Sequence, residues 1–541
     1  MRRVVFAVLA SSTLLLMSST AGGTADRQNI ATVASQGDPF ASCLVTGANT
    51  LTSIAVNYPG TELEPWVAAN PANRHNLIGS YQQDRWNDGS AKGLVAAYSF
   101  NGGQSWKSVP LPFSECAAPF YGGNVLHYER ASDPWNSIGV DGIAYAISIS
   151  VSFSTGDNAV GVARSVDGGR SWNHQQTIIA DGADAFNDKE SVTADPRLPG
   201  TAYAVWDRSY IAECPAGQQA KSQARLNQAR TSKERPSKNT LANRASVSAA
   251  SQCFYQPSFF SRTTDGGVHW ETPRRIAATA PDEATLGNIV VVNRQTGALY
   301  DFFTHFTSTG AVTVELVIST DGGSTWSASQ VVSNEDAVSI FDPRNQFLTV
   351  RAGDIIQPAI DPNSGQLYVA WEDARFNGQQ NDQAVISTSA TGLTGSWSAP
   401  SLISPPGDPA AFNPIIDVNQ LGQVGAIFYD IRNLKPSTPA SVLPTDTWFR
   451  RTDGPGVAFG HEEHLGSYNI LMAPVAFGGF FVGDYEGLVA QADNSFLAFF
   501  TQANCADVSC PASGNGIGAP THSPDPQDIF ASTTGDQVGQ H

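Results

Sequence analysis

Several familiar signatures are missing from this chain, and each absence closes off a class of function. It has no CxxC pair and no His/Cys spacing of the zinc-site kind, so no zinc module is expected. His461-Glu462-Glu463-His464 sets its histidines at the wrong interval to share a metal on one helix face. Asp141-Gly142 and Asp361-Pro362 read as turns and lack the alternating oxygen ligands of a calcium loop. No metal and no cofactor is therefore expected. Beyond the first residues, no stretch is long and apolar enough to cross a bilayer. Charge is also scarce. Only 15% of the 541 residues are charged, and 31 basic against 49 acidic side chains leave a net charge of −18. That balance disfavours nucleic acid and anionic membranes as partners, though it leaves room for an anionic sugar held locally by arginines.

What is present points outward from the cell. Arg2 and Arg3 precede an apolar run from Val4 to Met17 and then small residues up to Ala25, the pattern of a secretory signal. Residues 1–25 are expected to be removed, leaving a secreted protein with no membrane insertion. Residues 26–50 then form an N-terminal segment, 51–535 the folded body and 536–541 a short tail. The six cysteines suit an oxidising compartment. Their connectivity stays open: Cys505 and Cys510 can close a short loop, and Cys214 and Cys253 can staple an insertion, which leaves Cys43 for Cys116. That insertion, residues 215–252, is rich in Gln, Ser and Ala, and Glu234 is its one acid. It reads as a solvated surface loop, with a lid or polymer-contacting arm as the alternative.

Four copies of one eight-residue phrase organise the body: Ser99 to Trp106, Ser165 to Trp172, Thr263 to Trp270 and Ser319 to Trp326. Each suits a tight hairpin. Asp or Asn at the third position bonds turn amides, paired glycines supply positive φ, and the closing Trp begins the next strand. A worn copy ends at Trp397, and a remnant surrounds Asp453-Gly454. Between them runs a second repeat, an apolar strand A followed by a strand B that ends in charge. Its copies begin at Pro65, Pro134, Ser191, Leu286, Gln357, Asn413 and Gly483. Tandem repetition on this scale predicts an all-β propeller of four-stranded blades, seven by the A–B count with six as the alternative. The alternating stretch Leu51 to Tyr58 is expected to supply the last blade's missing outer strand.

The eight-residue phrase resembles the Asp-box, or bacterial neuraminidase repeat, and the chain is similar to the sialidase-like β-propellers. Asn101 and His269 depart from the motif. The resemblance implies a glycoside hydrolase acting on an anionic or complex glycan, or alternatively a non-catalytic propeller that binds glycan or protein. Sialidases pair a Tyr nucleophile with Glu, use an Asp acid/base and hold the substrate carboxylate with three arginines. Their Arg-Ile-Pro signature is absent here, since Arg275-Ile276 is followed by Ala. Site residues are therefore chosen by topology.

In an up-and-down blade the A–B and C–D turns share one side, so the ends of B and the approaches to A share the other. Charged residues cluster at those positions. Asp133 is the expected acid/base and Tyr485 the expected nucleophile, assisted by Glu486. Arg85, Arg130, Arg208, Arg375 and Arg432 are the expected substrate-binding arginines. The competing expectation is that Asp–Arg pairs at the B ends bind one another.

Overall fold

The structure is a computed structural model, and it describes residues 31–44, 55–215, 252–352, 355–407, 410–503 and 527–534. The expected signal, nearly all of the insertion and the Cys505–Cys510 loop lie outside the described residues. The described chain is nearly all-β. The A strands run Glu62–Ala69, Arg130–Ile138, Ala185–Ala194, Glu283–Val292, Gln357–Ile360, Ala411–Val418 and Gly487–Ala490. These positions coincide with the repeats read from sequence, and the units they open are numbered here one to seven in chain order.

Each A strand leads an antiparallel run of strands. In unit two, Arg130–Ile138 pairs with Ala144–Ser152, then Asp157–Ser165, then Asn173–Asp181. Burial falls outward along that order. The B strand is almost wholly buried, while the last strand is mostly exposed or intermediate. B strands such as Leu367–Asp373 and Val424–Asp430 are apolar on both faces, because a neighbouring unit covers each side. The A strands touch in sequence from unit one through to unit seven, and the unit-seven strand touches that of unit one. Under them, Trp66 stacks on Trp135, Tyr485 meets both rings edge-on, and Val192, Ile289, Ile415 and Leu488 complete an apolar plug.

The sheet of unit seven takes its outer strand from the N-terminal region, as expected, but from a different segment. Thr32–Val33 pairs with Gln527–Thr534. In the described part of Leu51 to Tyr58, Asn57 instead bridges Trp86 at the end of the unit-one B strand. A two-residue strand suffices because Ser35 adds side-chain bonds, its hydroxyl reaching Asp528 at 3.0 Å and accepting from the Ile529 amide at 3.1 Å. Disulfides join Cys43 to Cys116 and Cys214 to Cys253.

The four glycine-rich turns share one geometry. Asp321 accepts from the Thr325 amide at 2.9 Å and its hydroxyl at 2.6 Å, while the Gly323 amide donates to Ser319 Oγ at 2.8 Å. Asp167 repeats the pattern with Ser171. In Asn101 and His269 the departures keep it, because Asn101 accepts from the Ser105 amide and Asp265 from the His269 amide and ring. Each closing Trp then packs on the preceding unit: Trp270 on Tyr145, Trp326 on Phe260 and Trp397 on Phe302. Trp106, in the first unit, packs on Phe499 of the seventh.

Two glycines separate backbone strain from packing. Gly310 and Gly323 have nearly equal φ, +88° and +87°, but a Cβ on Gly310 meets nothing whereas one on Gly323 falls 2.4 Å from Phe260 Cζ. Gly310→Ala should cost only the left-handed penalty, about 1 kcal/mol. Gly323→Ala should add an overpacking cost of about 1–3 kcal/mol. Urea unfolding of the two variants measures the difference, and equal losses would refute the packing account.

Candidate active site

Near the start of the A strands the pairing register slips. The slips fall between Leu63 and Trp66, Ser132 and Trp135, Asp188 and Ser191, Leu286 and Ile289, and Phe412 and Ile415. The bulged residues are Glu64, Asp133, Lys189, Gly287 and Asn413, with φ of 53°, 54°, 50°, 71° and 49°. A left-handed residue in a bulge leaves the strict in–out alternation of a strand and re-aims its side chain. Glu64, Asp133 and Lys189 consequently meet on the face opposite the glycine-rich turns.

Lys189 is the hub. Its ammonium lies 2.7 Å from Asp484, 3.0 Å from Asp133 and 3.5 Å from Glu64, with only 12% of the side chain exposed. Arg351 donates to Asp484 at 2.9 Å, and the Asp484 amide donates to Glu64 at 3.2 Å. The Ser132 hydroxyl donates to Asp133 at 2.6 Å. Gln82 donates to Glu64 and to Ser132, and Arg85 donates to Gln82 at 2.6 Å and Ser132 at 3.3 Å. Both guanidiniums lie over the Phe481 ring, at 5.3 Å for Arg85 and 4.2 Å for Arg351. Arg85 Nε and Arg351 Nη1 are buried without a hydrogen-bond partner.

These surroundings split the carboxyls. Burial pushes Glu64 up to about 8 even though Lys189 opposes it, so it carries its proton at neutral pH. Burial also acts to raise Asp133 and Asp484, but there the cations win. Lys189 and the Ser132 hydroxyl hold Asp133 below its ordinary value, and Arg351 with Lys189 holds Asp484 well below. Glu190, beside Lys189, is raised well above its ordinary value by burial, and both of its oxygens are unpartnered.

The expected site residues divide into two groups. Asp133, Tyr485 and Arg85 come together around Lys189, but two of them in states that differ from expectation. Asp133 is held ionised, and the neutral carboxyl nearby belongs to Glu64. The Tyr485 hydroxyl donates to the Pro134 carbonyl at 3.0 Å, and burial holds the phenol protonated. Glu486 does not assist it. Strand alternation sends its side chain the other way, to accept from the Thr501 amide at 2.9 Å.

The other four arginines are engaged elsewhere. Arg130 is sandwiched between Trp86 and Phe153 and bonded to Asp88 at 2.8 Å. Arg208 grips Asp181, Arg375 grips Asp373, and Arg432 binds both Asp430 and Glu462. At the B ends the expectation of mutual Asp–Arg pairing thus describes Arg375 and Arg432, while Arg208 bypasses Asp207 and pairs with Asp181 of the preceding unit. Two other B-end carboxylates clip adjacent units, Asp207 accepting from the Gly287 amide at 2.7 Å and Glu372 from the Asn413 amide at 2.8 Å.

Sequence reasoning passed over Lys189, although it stands where Glu64-Pro65-Trp66 and Asp133-Pro134-Trp135 carry their acids. Aligning those A-strand approaches would have marked it.

No family model matches the chain, and no curated protein does either. Among solved structures it is similar to a Hadza microbial sialidase, Hz136, at 12% identity and TM-score 0.42, covering 84% of this chain and 76% of that one. A mutant of the NanB sialidase of Streptococcus pneumoniae gives 9% identity and 0.41, covering 88% and 94%. The α-L-arabinofuranosidase of Fusarium graminearum with arabinobiose gives 11% and 0.39, covering 69% and 92%.

Replacing Lys189 by Met would leave buried carboxylates without their cation, a change that typically costs about 3–5 kcal/mol. Asp133 and Asp484 have depressed values in the folded state, so their contribution is present above the unfolded pKa of about 4 and lost as pH falls through the folded values. The Lys189→Met deficit should therefore be largest near neutrality and shrink in acid. A deficit independent of pH in thermal melts would show that Lys189 contributes by packing alone.

Proposed function

We infer that the chain is an exported, seven-bladed Asp-box propeller whose central face hydrolyses a glycosidic bond in an anionic glycan. One arrangement carries the reading: Glu64, Asp133 and Asp484 converge on Lys189, with burial driving Glu64 up while the cations hold the two aspartates down, and two arginines beside them keep N–H donors to spare. Carboxyls whose surroundings drive their protonation apart are what acid-assisted glycoside cleavage needs. Glu64 protonates the departing glycosidic oxygen. The carboxylate of Asp133 stabilises the positive charge that develops on the sugar. Arg85 and Arg351 hold a carboxylate or sulfate of the substrate, and Phe481 fixes their planes. Tyr485 positions the strand through Pro134. Seven blades are supported by the cyclic order of A-strand contacts and by the packing of Trp106 on Phe499. Export is supported by the two disulfides, and among the described residues no helix is long and apolar enough to cross a membrane.

A second reading, a propeller that binds the glycan without cleaving it, is favoured by the complete burial of Glu64, whose backbone packs against Gly483. The two readings separate on turnover. Wild type is expected to cleave a member of a panel of sialosides and uronate-containing oligosaccharides. Glu64→Gln should lower kcat by roughly 10²–10⁴-fold. The rate should also fall as pH rises through about 8, where Glu64 loses its proton. Arg85→Gln and Arg351→Gln should raise KM for these anionic substrates and leave binding of neutral oligosaccharides unchanged. Tight binding with no turnover across the panel would establish the binding reading, and neither binding nor turnover would reject both.

A further inference from the structure

The hairpin beside the two central arginines has the wrong residue at its tip. Val475–Ala476 pairs with Gly479–Phe481, leaving Phe477-Gly478 as a two-residue loop. Both loop residues have positive φ, 49° and 93°. That is the type I′ arrangement, in which Asn, Asp or Gly is favoured at the first position and a bulky ring is an outlier. The strained residue is only partly covered, since Phe477 is 40% exposed. Its amide donates to the Asn87 carbonyl at 3.2 Å, which ties the tip to unit one. The Arg351 guanidinium lies over one face of the ring, 5.2 Å from its centroid, and Arg351 itself pairs with Phe481 on the adjoining strand. A strained, partly exposed aromatic thus flanks Arg351, which keeps a buried, unpartnered Nη1 and shares the Phe481 ring with Arg85. A bulky ring held in the left-handed region at a partly open position is the kind of backbone outlier from which a functional role is inferred.

We propose that Phe477 is a stacking platform for a sugar ring adjoining the anionic residue, so that the ligand is an oligosaccharide and not a single acidic sugar. This rests on the glycan reading above. The anionic group takes the spare donors of Arg85 and Arg351. The neighbouring ring, one sugar further out, lays its apolar C–H face on the open side of Phe477. Desolvation of that face supplies affinity, and the fixed hairpin loses little freedom on binding.

Phe477→Asn makes the test sharp, because it installs a residue the turn prefers while removing the ring. The probes are 3′-sialyllactose and trigalacturonate, set against free sialic acid and galacturonate, with calorimetric binding to the full chain. The melting temperature of Phe477→Asn should equal or exceed that of wild type. Its affinity for the oligosaccharide that wild type binds should fall about tenfold, its affinity for the matching monosaccharide should not change, and Phe477→Trp should retain the oligosaccharide. Unchanged oligosaccharide affinity in Phe477→Asn would overturn the platform and leave the glycan reading standing. So would a drop in melting temperature accompanied by equal losses for both ligand sizes, which would make the ring a cover for Arg351. Failure of wild type to bind any of the probes would remove the platform and the glycan reading together.

Discussion

In five units the inner strand carries a bulge with one residue in the left-handed conformation, and neighbouring groups are arranged around it. The bulge turns the backbone amide of Gly287 toward Asp207 and that of Asn413 toward Glu372, so carboxylates at B ends clip one unit to the next. It also frees the side chains of Glu64, Asp133 and Lys189 from strand alternation and directs them to a common point. Without that extra residue, each would point either into the apolar plug or away from its partners. The same local irregularity therefore holds the sheets in order and assembles the charged face.

The electrostatics follow from geometry of this kind. Several acids are withdrawn from water around one ammonium, and the usual cost of burying charge has to be met by pairing or by protonation. Asp133 and Asp484 are paired. Burial drives Glu64 and Glu190 toward the second route, raising both above the ordinary carboxyl range. The apolar plug beneath, with Trp66, Trp135 and Tyr485, keeps the local dielectric low and so amplifies the split. A face that looks merely acidic in sequence is in fact divided into ionised and neutral carboxyls.

Much of this architecture could be read from the chain. The repeated glycine-rich phrases locate turns whose hydrogen bonds recur almost atom for atom, and the A–B repeats coincide with the seven inner strands. Cys43–Cys116 and Cys214–Cys253 are among the pairings the sequence leaves open. The site was half legible. Asp133, Tyr485 and Arg85 lie at it because topology brings A-strand approaches and B-strand ends to one face. Arg208, Arg375 and Arg432 share that topology, yet an acid captures each guanidinium first, Asp181 of the preceding unit for Arg208 and an aspartate of the same unit for the other two, and no periodic pattern distinguishes a captured arginine from a spare one. Lys189 was missed although the A-strand approaches align it with Glu64 and Asp133, and Arg351 was not chosen because its link to the cluster runs through Asp484, 133 positions away in the chain. Side-chain direction at a bulge is likewise invisible to a count of alternate residues.

The pairing of Thr32–Val33 with Gln527–Thr534 bears on how the chain reaches this state. Thr32 and Ala531, which share a hydrogen bond, are 499 residues apart. Contacts so distant in sequence form slowly, since closing such a span restricts the chain before most contacts repay it. The seventh sheet stays incomplete until both ends are present, leaving its outer strand with open hydrogen-bonding groups. A chain delivered from its N-terminus meets this seam last. The units can order one by one, but the assembled body cannot lock until the whole polypeptide has arrived.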